Sequence, residues 1–106
     1  MKYLFVCGAG VDRSPTAAYL AREIAKERKL DVETHSLGLR DFLKSPITGY
    51  FDRYDKIFVM EVWMIDKIRE AGYKRDISCL NIRDEYEGAE TLLERILKSK
   101  LEGLIK

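Results

Sequence analysis

The sequence predicts an α/β fold, a three-layer α/β/α sandwich around a four-stranded parallel sheet. Three observations predict it. Apolar runs and amphipathic helical segments alternate along the whole chain. Two of the runs, KYLFVC and DKIFVM, are continuous rather than alternating, which suits strands covered on both faces. The 106 residues fit a single domain, 1–106, with room for one core and no repeat or linker.

Each element has its own signal. KYLFVC is the first strand. Residues 15–29 then read as a helix, with Ala17, Ala18, Leu20, Ala21, Ile24 and Ala25 on its apolar face. DVETHSLG is a partly polar strand of the kind found at a sheet edge. A short irregular region follows, punctuated by Pro46 and Gly49. DKIFVM is the second buried strand, and a helix over 61–71 follows it and stops at Gly72. DISCLNI is the last strand. In the closing helix Leu92, Leu93, Ile96, Leu97, Leu101 and Leu104 fall at helical spacing, and Lys98 and Lys100 suit its C-terminus. Right-handed crossovers bring every strand's C-terminal end to one edge of the sheet, where the turns after Cys7 and Ile82 both open.

Composition excludes several classes of function. A formal net charge of +1 recommends neither nucleic acid nor a membrane surface as a partner. Two cysteines and one histidine supply neither a disulfide framework nor a metal site, so no metal or other cofactor is expected. Asp12 and Arg13 interrupt the first apolar run too early for a signal peptide. No run approaches the roughly 18 apolar residues of a membrane span. A cytoplasmic monomer with reduced thiols is the expectation.

The chemistry concentrates in FVCGAGVDRSPTAA, residues 5–18. GAGVDR begins like a dinucleotide fingerprint, but Arg13 stands where that fingerprint needs a small residue. A lysine-bearing phosphate loop is excluded by the missing second glycine and lysine. Read forward, Cys7 ends a buried strand, and Gly8, Ala9, Gly10, Val11 and Asp12 form a loop able to turn its amides inward as an anion nest. Arg13 closes the loop with a planar fork that fits two phosphate oxygens. Ser14 falls at a helix N-cap and Pro15 at the first helical position, so the positive helix end points into the loop. These features favour the thiolate form of Cys7, and then a phosphate held against it.

Cys-x5-Arg-Ser after a first strand resembles the signature of the low-molecular-weight protein tyrosine phosphatases. VCGAGVDRSPTAA resembles that family's loop and helix, HSLG its second-strand end, YDKIFVMEVWMIDKI its third strand and helix, and LNIRDEYEG its late acid-bearing loop. With little between Leu37 and Asp55, the chain looks most like a compact microbial branch. The resemblance implies a metal-independent phosphatase acting on phosphotyrosine or small aryl phosphates, with a phosphorylated protein or small phosphoester as its partner. It implies attack by Cys7 through a phosphocysteine, phosphate held by Arg13 and the amides of loop 8–14, and a Ser14 hydrogen bond to the thiolate. It implies Asp84 as general acid and base, with Tyr86 flanking the substrate ring.

Some residues depart from that pattern. Gly10 replaces a bracing asparagine. An unneutralised Asp12 carboxylate about 4 Å from the thiolate would cost about 1 kcal/mol in water and about 4 kcal/mol at an effective dielectric of about 20. Asp12 must therefore point outward or pair with a cation. Arg83 and Glu85 flank Asp84 where the family places proline, and Glu85 is the alternative acid. These departures keep open a phosphate-binding module without turnover. A thiol-dependent arsenate reductase would need Cys79 as a resolving thiol, whereas a mid-strand cysteine reads as core. His35 on its edge strand reads as structural, and Trp63 and Met64 as core or rim.

Overall fold

Strand β1 (Lys2–Cys7) is apolar on both faces because it lies inside the sheet. β2 (Glu33–Gly38) flanks it on one side, β3 (Lys56–Val59) on the other, and β4 (Asp76–Cys79) lies beyond β3. All pair in parallel in the order β2-β1-β3-β4, which is the predicted four-stranded sheet. The computed structural model describes residues 1–9, 13–82 and 90–105. The helices are α1 (Arg13–Glu27), α2 (Leu39–Lys44), α3 (Trp63–Glu70) and α4 (Glu90–Leu104), with a 3-10 turn over Phe51–Arg53.

Steps from β1 to β2 and from β3 to β4 run in opposite directions across the sheet, so right-handed crossovers place α1 and α3 on opposite faces. α4 packs on α1, where Arg28 Nη1 donates to the carbonyls of Glu102, at 2.8 Å, and Ile105. The buried face of α1 is Ala17, Ala18, Ala21, Ile24 and Ala25, small enough to bring the helix close to the sheet. Thr34, buried in β2, donates from Oγ1 to the Ala18 carbonyl at 2.8 Å. Phe5 and Phe58 are register partners on β1 and β3, and their rings stack at 4.7 Å.

Four expectations change. The region after β2 is helical over six residues, because Leu39 and Phe42, three apart, both bury on one side of α2. α1 starts at Arg13, so Ser14 is not the N-cap residue expected, and its hydroxyl is spent elsewhere. The last turn of α4 carries no basic side chain. Lys100 instead sends Nζ to the Leu80 carbonyl at 2.6 Å, tying α4 to the end of β4 rather than to its own C-terminus. Cys79, at the C-terminal end of an edge strand, is only partly buried and packs against the core rather than within it. The stop at Gly72 holds: its φ of +97° closes α3 in a conformation that glycine adopts without strain.

Strand order reverses between β1 and β3, where crevices open at the C-terminal edge of parallel sheets. Cys7 ends β1, and Glu61 follows β3 by two residues. The fold delivers both to one place. No helix among the described residues is long and apolar enough to cross a membrane.

Candidate active site

Cys7 is paired in register with Gly38 and is 2% exposed. Its Sγ lies 3.1 Å from Ser14 Oγ, and that hydroxyl also lies 3.5 Å from the Leu37 carbonyl. Starting α1 at Arg13 aims Ser14 inward, under the sulfur, where a hydroxyl donates to the thiolate form. The expected contact between Ser14 and the Cys7 sulfur is therefore present, although the capping role is not.

Arg13 is 4% exposed, so its charge must be answered inside the protein. Nη1 donates to Glu61 Oε1 at 2.7 Å and to the Ile82 carbonyl at 2.6 Å. Ile82 is itself held by its N–H to the Met60 carbonyl, 2.9 Å away. Arg13 thereby joins the start of α1 to the ends of β3 and β4. Glu61 takes a second hydrogen bond from Trp63 Nε1 at 3.0 Å. Trp63 is 38% exposed and stands on the rim, whereas Met64 is fully buried.

Gly8, the first residue after Cys7, lies beneath the guanidinium of Arg40. A Cβ at Gly8 would come within 3.2 Å of Arg40 Cζ and Nε. The Arg40 N–H donates to the Gly8 carbonyl at 3.0 Å, which locks the start of α2 to the loop. A side chain at Gly8 would press on the Arg40 guanidinium unless that exposed group shifted by a few tenths of an ångström.

Burial pushes the Glu61 carboxyl up, but hydrogen bonds from Arg13 and Trp63 and the charges of Arg13 and Arg40 outweigh it. The net displacement is below the ordinary carboxylate range. A depressed folded-state value contributes stability that is present above about pH 4.3, the unfolded value, and is lost as pH falls through the lower folded value. In thermal unfolding from pH 7 to pH 2, wild type should exceed Glu61→Gln in Tm near neutrality. The gap should close progressively below about pH 4. A gap independent of pH would mean that the ion pair is not its source.

Of the residues singled out in the sequence, the structure brings together Cys7, Gly8, Arg13 and Ser14, with Ala9 exposed beside them. Gly10, Val11, Asp12, Asp84, Glu85 and Tyr86 lie outside the described residues. His35 sits on the edge strand with Nδ1 at 2.8 Å from Tyr54 Oη and Nε2 at 3.0 Å from Glu33 Oε2, a structural placement. Cys79 is two strands from Cys7. Strand spacing alone then puts the two apart by roughly 10 Å, too far for a disulfide without backbone movement. Glu61 and Arg40 were not foreseen. An acid just past a strand at the active edge was a signal for Glu61, but nothing in the sequence marked Arg40. Among the described residues no cluster of three or more His, Cys, Asp or Glu has a metal-holding arrangement.

No protein-family model and no curated protein matches the chain. Solved structures do. A protein tyrosine phosphatase from Entamoeba histolytica, with Hepes in its active site, is 22% identical with a TM-score of 0.78, the match covering 99% of this chain and 94% of that one. A low molecular weight phosphotyrosine phosphatase from Vibrio cholerae is 18% identical with a TM-score of 0.76, at 99% and 94% coverage. A mutant of YwlE from Bacillus subtilis is 22% identical with a TM-score of 0.69, at 100% and 99% coverage. A cysteine-to-serine mutant of YwlE, an arginine phosphatase, is also known with its active-site serine phosphorylated. At these identities the likeness establishes the fold: this chain has the fold of the low molecular weight protein tyrosine phosphatases.

Proposed function

We propose that this chain is a cysteine-dependent, metal-independent phosphatase of phosphotyrosine or small aryl phosphates. The observation that carries the reading is the convergence of the Cys7 thiol, the Ser14 hydroxyl and the buried Arg13 guanidinium at the switch point of the sheet. The shared fold supports it. In the first step the Cys7 thiolate attacks phosphorus in line, forming the S–P bond as the P–O bond to the leaving group breaks. Asp84 gives its proton to the departing oxygen. In the second step Asp84 takes a proton from water, whose oxygen attacks phosphorus and expels the Cys7 thiolate. Arg13 and the amides of loop 8–14 hold the non-bridging oxygens through both steps. Tyr86 flanks the substrate ring. The reading carries with it a single domain working as a cytoplasmic monomer.

Hydrolysis of para-nitrophenyl phosphate from pH 4 to 8 with chelator present is the test. Wild type should turn over, and Asp84→Asn should be slower by about 10²- to 10⁴-fold, the usual worth of a general acid. If Glu85→Gln is the slow variant instead, Glu85 is the acid. If nothing turns over while inorganic phosphate binds, the chain is a phosphate-binding module. The likeness to YwlE makes phosphoarginine the second substrate to assay.

A further inference from the structure

The Arg40 guanidinium lies over Gly8, the residue that follows Cys7, and Arg40 is exposed to solvent. We propose that Arg40 selects phosphoesters with a second negative charge beside the scissile phosphate, foremost phosphopeptides with an acidic residue next to the phosphorylated one. This assignment rests on the phosphatase reading of the same site.

The geometry separates the work of two arginines. Arg13 is buried and held by Glu61 and the Ile82 carbonyl, in a place to grip the phosphate at the floor. Arg40 is exposed, at the start of α2, and its guanidinium lies over Gly8 within van der Waals reach. A phosphate seated at Cys7 leaves Arg40 at the mouth of the site rather than at its floor. The placement is built, not incidental. The Arg40 N–H is bonded to the Gly8 carbonyl, and Gly8 lacks the Cβ that would crowd the guanidinium. Fixing the base of a long side chain in this way lowers the entropy lost when its head takes a ligand.

The charge of Arg40 is also uncommitted to a close ion pair among the described residues. Its neighbour Asp41 pairs with Lys44 at 3.6 Å, and Glu61 pairs with Arg13 at 2.7 Å. Arg40 still acts on the site electrostatically, since its charge helps to hold the Glu61 carboxyl low. A planar guanidinium suits a carboxylate, which it can meet through two parallel hydrogen bonds. A second phosphate offers the same chemistry, and the peptide series distinguishes the two sources.

The experiment measures binding and turnover separately. Phosphotyrosine peptides with glutamate, glutamine or lysine beside the phosphotyrosine, and one with phosphoserine there, are titrated into the Cys7→Ser protein by calorimetry. The glutamate peptide should bind about three- to tenfold more tightly than the glutamine peptide, the range expected of a partly exposed, bidentate pair. The preference should shrink with added salt. Adding Arg40→Ala should bring the ratio to about one, and Arg40→Lys should retain part of it. A stronger preference for the phosphoserine peptide would make a neighbouring phosphate the favoured second anion, still within the proposal. Equal affinities for the glutamate and glutamine peptides, a preference that survives Arg40→Ala, or no peptide binding would each overturn it. Hydrolysis of the same peptides by wild type reads the phosphatase assignment. Charge-selective binding without hydrolysis would remove that assignment and leave Arg40 as the selector of an acidic phosphorylated ligand.

Discussion

Serine in place of Cys7 is expected to abolish turnover, with kcat lower by about 10⁴- to 10⁶-fold, as when other enzymes lose their nucleophile. The substitution is nearly isosteric at a site 2% exposed, so it should leave the sheet, the Ser14 contact and the Arg13 anchor in place. What changes is the attacking atom. A serine hydroxyl must lose its proton as it attacks, and the Ser14 hydroxyl, 3.1 Å from Cys7 Sγ, is no base. Binding should survive because the groups proposed to hold phosphate, Arg13 and the start of α1, are untouched. The expected result is therefore a split: vanadate or phosphate binds Cys7→Ser within about tenfold of its wild-type affinity while hydrolysis disappears. Turnover preserved in Cys7→Ser would assign the nucleophile to another group.

The parts of this architecture that were legible in the sequence are those fixed by local rules. KYLFVC reads as a buried strand because both of its faces are covered, which the neighbours β2 and β3 make true. The eight residues from Cys7 to Ser14 read as one site, and the Ser14 hydroxyl does lie 3.1 Å from the Cys7 sulfur. α2 was hidden because six residues carry only three apolar side chains at helical spacing, Leu39, Phe42 and Leu43, of which Leu39 and Phe42 bury. Its helix is a product of tertiary packing, as short helices must be. Arg40 belongs to that same unread segment, and its meaning lies in contact with Gly8, 32 positions earlier by their numbers. Lys100 shows the same failure from the other side. Charge near a helix end suggested a dipole interaction, but its long, flexible stem reaches the Leu80 carbonyl instead.

Glu61 was the more instructive omission, because it links the fold to the chemistry. Its backbone position follows from β3, its orientation from Trp63, and its partner is the arginine that opens α1. The helix start, two strand ends and the rim are therefore coupled through one guanidinium. That coupling bears on the rigidity of the site. An arginine anchored at two fixed oxygen atoms need not be ordered when substrate arrives, so less binding energy goes into arranging it.

The second large effect should follow from replacing that guanidinium while keeping its charge. Arg13→Lys is expected to lower kcat/KM by about 10²- to 10³-fold, the cost of losing one preorganised donor set to a developing anion. Lysine has three N–H donors on a rotating head, against five in a rigid fork. It cannot satisfy Glu61 Oε1 and the Ile82 carbonyl in their present places and also span two phosphate oxygens. If Arg13 acts through this fork, much of the loss should appear in kcat, because the oxygens it holds gain charge in the transition state. A loss confined to KM would instead make Arg13 a uniform binding group. The Glu61 pair supplies the internal control. Glu61→Gln should cost activity in the wild-type background by loosening the fork, and should cost little more once lysine occupies position 13. Additive losses would separate the two residues, and the anchoring by Glu61 would then be a feature of stability alone.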